Sequence, residues 1–157
     1  MPIYVGVVGS GESDPVTDEI AERIGHELAE AGAVLVCGGL GGVMEAACRG
    51  AAGAGGLTIG LLPGVERGAA NRWLSVVIPT GLGELRNGLI VRASEVLIAI
   101  GGEYGTLSEV AFALKLGRPV VGVHTWSLTR PDGTSDAGLV VSKTEDAVAV
   151  ALELAGS

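Results

Sequence analysis

The chain has 157 residues, of which 48% are hydrophobic, and a formal net charge of −8; this is enough for one domain with a full core. The acidity disfavours nucleic acid as the main partner, because gripping a phosphate backbone needs a basic face. No basic leader precedes a long apolar stretch and no apolar run approaches about 18 residues, so no membrane span is expected and a cytoplasmic protein is predicted.

Ile3 to Val8 reads as a strand with β-branched residues on both faces, the pattern of a parallel sheet covered on both sides. It runs into Gly9-Ser10-Gly11, and Asp14-Pro15 then offers an N-cap and a first helical residue ahead of Ile20, Ile24 and Leu28. Ala33 to Val36 is the second strand. It enters Gly38-Gly39-Leu40-Gly41-Gly42, followed by a small-sided helix from Val43 to about Gly53. Cys37 and Cys48 are too few for a disulfide framework and read as reduced buried thiols. Neither shares a metal-ligand spacing with His26 or His124, so no metal site is expected.

Leu57 to Leu62 is the third strand. Pro63 to Arg72 shows no period and reads as a flap, and Trp73 to Ile78 reads as a fourth strand. Glu84 to Ala93 is a predicted helix with Leu85 and Leu89 on one side, and Glu95 to Ile100 is the fifth strand. Gly101 to Gly105 makes a permissive bend. Thr106 then opens a helix with Leu107, Val110, Ala111 and Leu114 at i, i+3, i+4 and i+7, stopped by Gly117-Arg118-Pro119. Val120 to Val123 is a sixth strand, Thr125 to Gly138 a polar loop, Leu139 to Val141 a short last strand and Lys143 to Ala155 a closing helix. This alternation predicts a single α/β domain over residues 1–157, a three-layer α/β/α sandwich with a mainly parallel sheet.

Two junctions of strand, glycine loop and helix stand out. Each aims unpaired backbone N–H groups and the positive end of a helix dipole at one spot, which suits a phosphate or another anion. In such sheets ligands sit at the carboxyl ends of the strands, where both loops and the Ser10 loop fall. Neither loop is a Walker loop, for no Lys precedes Arg92. The second strand ends in Cys37-Gly38 without the acid that would hold an NAD ribose, which makes NAD a poor candidate. Residues 63–118 hold six Lys or Arg against five acids, while residues 1–62 hold two against eight. An acidic shell around a locally basic middle favours a small anionic ligand over a polymer.

The run Gly102-x-Tyr104-Gly105-Thr106-x-x-Glu109, with Arg86-Asn87 upstream and Gly38-Gly39-Leu40-Gly41-Gly42-Val43-Met44-Glu45 before it, resembles the LOG family, formerly called lysine decarboxylase-like. The wording is closer to its molybdenum-cofactor-carrier and DprA-related branch. The resemblance covers roughly Ile3 to Val123. It implies a Rossmann-like homodimer or higher homo-oligomer that binds a nucleotide-like ligand or molybdenum cofactor. Gly9, Ser10, Gly38, Gly39, Gly42, Met44, Arg86, Asn87, Gly102, Glu103, Tyr104, Gly105, Thr106 and Glu109 are the expected ligand-binding residues. In the LOG enzymes the matching glycines and Thr hold phosphate, while the matching Arg and Glu, here Arg86 and Glu109, serve N-glycosidic cleavage of nucleoside 5′-monophosphates. The chain departs from the LOG pattern at Gly101-Gly102-Glu103. A carboxylate there repels an anion unless it turns outward or meets a cation.

The leading expectation is a carrier or binding protein for a phosphate-bearing heterocycle, a nucleotide or molybdopterin-type cofactor. The alternative is a LOG-type phosphoribohydrolase in which Glu109 stabilises an oxocarbenium-like state and Arg86 anchors the phosphate. A scaffold with a vestigial site is a third reading. Simpler roles compete at single residues. Thr106-x-x-Glu109 also fits a capping box, Met44 fits a core, Tyr104 fits a cap over the core, and Gly38 to Gly42 fit close helix–strand packing.

Overall fold

Along β5 (Val96–Ile100) every residue is buried, yet successive side chains point to opposite faces, so the strand must be covered on both sides. The computed structural model describes residues 1–156 and shows how this is done. Val96, Ile98 and Ile100 pack in one core with α1 (Pro15–Glu30), α2 (Val43–Gly53) and α5 (Ala147–Ala155). Leu97 and Ala99 pack in a second core under α3 (Arg86–Ala93) and α4 (Tyr104–Lys115). The result is a three-layer Rossmann-like sandwich.

The remaining strands are β1 (Tyr4–Gly9), β2 (Val34–Cys37), β3 (Thr58–Leu62), β4 (Val76–Pro79), β6 (Val120–Val123) and β7 (Leu139–Val141). They lie in the order β4-β3-β2-β1-β5-β6-β7, and all six pairings are parallel. The chain therefore starts at the centre, works out to β4, and returns to β5 on the other side of β1. Its direction reverses between β1 and β5, which opens a crevice at their carboxyl ends. At the margin, β4 leaves Val76 and Ile78 exposed.

Local chemistry explains several boundaries. Asp14 caps α1 by accepting from the Thr17 amide at 3.0 Å, with Pro15 at the first helical position. Helices α1 and α2 cross backbone to backbone: a Cβ on Gly25 would lie 1.9 Å from the Ala47 carbonyl oxygen, and one on Gly50 1.9 Å from that of Glu22.

Four expected boundaries move. The fourth strand begins at Val76 rather than Trp73, because the Trp73 backbone is taken by side chains. Its N–H donates to Asn71 Oδ1 at 3.0 Å, and its carbonyl accepts from Thr58 Oγ1 at 2.9 Å. The helix expected from Glu84 starts with a 3₁₀ turn over Gly83–Leu85 and becomes α-helical at Arg86. Its buried residues are Arg86, Ile90 and Val91, while Leu85 and Leu89 face outward. The closing helix likewise opens with a 3₁₀ turn at Thr144–Asp146. The Thr106 helix starts two residues early, at Tyr104.

Candidate functional site

Three strand ends meet over the crevice. β1 delivers Gly9 and Ser10, β2 leads to Gly38, and β5 runs through Gly101 and Gly102 into α4, while Arg86 and Asn87 enter from the first turn of α3. Gly9, Ser10, Gly38, Arg86 and Asn87, with Met44, Glu103, Gly105, Thr106 and Glu109, line a pocket of about 200 Å³. The two glycine loops thus open on the same cavity.

The start of α4 is built around Gly102, whose φ of +100° lets the chain double back against Thr106. Glu103 is the N-cap residue and gives no side-chain cap. Thr106 lies inside the first turn, 3% exposed, so the capping box does not form. Among the described residues, the amides of Tyr104, Gly105 and Thr106 find no partner in the protein; the first satisfied amide is that of Leu107, which donates to the Glu103 carbonyl at 3.0 Å. Three donors and the helix dipole are therefore left for an anion, those of Gly105 and Thr106 at the pocket wall.

Arg86 is held as a buried fork. Nε donates to the Leu61 carbonyl at 2.9 Å, one terminal nitrogen donates to Asn87 Oδ1, and the other reaches the Gly38 carbonyl at 3.4 Å. Glycine at position 38 leaves room for the fork, since a Cβ there would lie 2.5 Å from the guanidinium and displace it. Burial pulls the Arg86 pKa below its usual value, opposed by the nearby Glu109 charge.

Glu109 is 7% exposed, and its carboxyl makes no hydrogen bond or ion pair among the described residues. Burial pushes its carboxyl up to about 8, with Arg86 pulling the other way. Desolvation outweighs attraction because the two groups do not form a contact pair. At neutral pH Glu109 is mostly protonated, so it offers an O–H donor beside a cationic fork.

The folded value of about 8 lies above the ordinary 4.5, so the folded state holds the proton more tightly and stability falls as pH rises from about 4.5 to about 8. Glu109→Gln is expected to flatten that decline in urea melts taken across this range.

Glu103 is exposed, lines the cavity and has no cation partner among the described residues. Its charge opposes an incoming anion. Glu103→Gln is expected to tighten phosphate binding by about 2- to 5-fold at low salt, checked by titration calorimetry.

Four expected ligand contacts lie outside the pocket wall. Gly39 serves the loop itself, donating to Cys37 Sγ at 3.4 Å and accepting from the Asn71 amide at 2.9 Å. Gly42, at φ +63°, packs against the Ser10 carbonyl. Gly102 shapes the α4 bend. Tyr104 is 76% exposed and rests against Trp126, with ring centroids 5.6 Å apart, so it does not cover the core.

Val7, Val8, Gly11 and Ile90 also line the cavity and were not anticipated. For Val7 and Val8 the available signal was their place beside Gly9 at a strand end. The expected flap holds a 3₁₀ turn at Arg67–Ala69 and is tied down by Asn71, whose Nδ2 donates to the Leu40 carbonyl at 3.0 Å.

Cys37 and Cys48 are free and buried with sulfurs 3.5 Å apart. The neighbouring sulfur and burial push the Cys48 thiol well up, so it stays protonated. Among the described residues no group of three or more His, Cys, Asp or Glu is placed to hold a metal ion, and no helix is long and apolar enough to cross a membrane.

Known proteins share this architecture. The molybdenum cofactor binding protein of Rippkaea orientalis superposes with a TM-score of 0.88 at 35% identity, covering 98% of each chain. The molybdenum cofactor carrier protein of Chlamydomonas reinhardtii gives 0.85 at 33% identity over 100% of both. An uncharacterized protein of Archaeoglobus fulgidus is 47% identical over 121 residues, which is 77% of this chain and 80% of its own. The SLOG cluster4 family matches over residues 2–151, and the chain belongs to that family.

Proposed function

We propose that this protein binds and carries a phosphate-bearing heterocycle, a nucleotide or a molybdopterin-type cofactor, in the pocket between the two glycine loops. One observation carries the reading: unpartnered amides at the start of α4 converge with the buried fork of Arg86 and the unpaired carboxyl of Glu109 on one cavity. The amides and Arg86 would take the phosphate. Glu109, as an acid, would donate to a ring nitrogen or carbonyl of the heterocycle, while Met44 and Ile90 offer apolar surface to its ring.

The likeness to molybdenum cofactor binding and carrier proteins supports this class of ligand. The donor set fits the anionic and heterocyclic parts of such a cofactor. With no protein cluster placed to ligate a metal among the described residues, molybdenum would travel on the cofactor's own sulfur ligands. A cytoplasmic homodimer or higher homo-oligomer serving a small anion, rather than nucleic acid, completes the reading.

The second reading is a phosphoribohydrolase, favoured by Arg86 and Glu109 facing the same cavity. Incubation with AMP and with cytokinin-type monophosphates separates the two. Saturable binding without release of free base supports the carrier. Turnover abolished by Glu109→Gln supports the enzyme. Mass spectrometry of whatever copurifies names the ligand, and tight binding of a single-stranded oligonucleotide in preference to any mononucleotide would overturn the small-anion assignment.

A further inference from the structure

Beyond the carboxyl ends of β6 and β7 lies a second hollow of about 400 Å³, with Gly122, His124, Trp126, Ser142, Lys143 and Glu145 in its walls. It adjoins an open recess over Gly101 and Gly102, and His124, Thr125 and Trp126 wall both. Trp126 Nε1 in turn donates to the Glu103 carbonyl at 3.1 Å, and Glu103 lines the main pocket. The three spaces follow one another along the carboxyl ends of the strands, with the free amides of α4 at the wall of the first.

The outer hollow has features of a binding surface. His124 holds a left-handed backbone at φ +50°, the only non-glycine residue to do so among those described. Thr125 Oγ1 fixes that turn by donating to the Gly101 carbonyl at 2.5 Å. Neither His124 nor Lys143 has an acidic partner within 4 Å among the described residues. Trp126 is only half-buried and is steadied by Tyr104.

We propose that this hollow is a second subsite, which receives the nucleoside end of a ligand built from two heterocyclic halves joined by a diphosphate. The inference rests on the phosphate-and-heterocycle reading of the main pocket. That pocket, at about 200 Å³, accommodates one compact head group. The diphosphate then crosses the α4 amides, and Lys143 neutralises its distal charge. The base stacks on Trp126, with Ser142 and Glu145 at its polar edge. A wall carrying both Lys143 and Glu145 suits a base with donors and acceptors better than a bare anion. Neighbouring strands lie about 4.8 Å apart, so the ends of β5 and β7 are separated by about 10 Å, a gap that a ribose diphosphate bridges. Dinucleotides lie across strand-end crevices of this kind in doubly wound sheets.

The test titrates the protein with GMP and with diguanosine diphosphate, by calorimetry and by tryptophan fluorescence. The dinucleotide is expected to bind at least about 10-fold tighter than GMP. Lys143→Ala is expected to remove that gain and leave GMP affinity unchanged, and Trp126→Ala is expected to remove it as well. Trp126→Phe, which keeps a ring and loses the bond to Glu103, is expected to retain most of it while abolishing the fluorescence change. Equal affinity for the two probes, or an equal loss for both in Lys143→Ala, overturns the second subsite and leaves the main pocket standing. Binding of neither probe overturns the reading of the main pocket and this subsite with it.

Discussion

Arg86→Ala is expected to weaken binding of a phosphate-bearing ligand by about 10- to 100-fold, the worth of losing a charge-assisted hydrogen bond of about 1.5–3 kcal/mol. The loss has a specific geometry behind it. The guanidinium is not a free surface charge: the Leu61 carbonyl and Asn87 hold it in place, leaving the fork aimed beneath Gly38. Arg86→Lys keeps the charge and loses the planar fork, so it is expected to recover only part of the affinity. Calorimetry with GMP measures the effect, and circular dichroism confirms that the variants are folded. Affinity within 2-fold of the parent in Arg86→Ala would remove this residue from the binding machinery.

Gly25→Ala carries the largest expected effect on stability. The added methyl would sit 1.9 Å from the Ala47 carbonyl oxygen, which is backbone and has no rotamer to change. Helices α1 and α2 must separate, at a cost of about 2–4 kcal/mol, which lowers Tm by roughly 5–12 °C for a chain of this size. Gly53→Ala is the control, since a Cβ there meets nothing within 4 Å. It is expected to leave Tm unchanged or slightly raised. If Gly25→Ala melts with the parent, the close crossing of the two helices is wrong.

The layered fold was legible because the strands are short apolar runs with β-branched residues on both faces, separated by helices of clear period. A fully parallel sheet is what such runs require. The boundaries that moved did so for reasons outside local pattern. Trp73 leaves the ladder because Thr58, fifteen residues away, and the Asn71 side chain two residues before it claim its backbone. Thr106 and Glu109 have the spacing of a capping box, but the bend at Gly102 lets the helix begin at Tyr104, which turns both side chains inward.

The candidate pocket was legible as two glycine loops with Arg86, Thr106 and Glu109. Which glycines reach the cavity was not. A missing Cβ is needed equally where a ligand approaches and where another backbone does: Gly38 makes room for Arg86, whereas Gly42 makes room for the Ser10 carbonyl. Asn71 was passed over because its bonds to Gly39 and Leu40 join segments far apart in the chain. The tilted ring pair of Tyr104 and Trp126 was hidden for the same reason.

The margin formed by β4 carries a liability of its own. Its outer backbone groups, flanked by the outward-facing Val76 and Ile78, present a template on which any extended peptide can add itself as an eighth strand. The template is only four residues long and terminates in Pro79, which lacks an amide hydrogen. Brevity and an imino acid thus guard the molecule against runaway self-association.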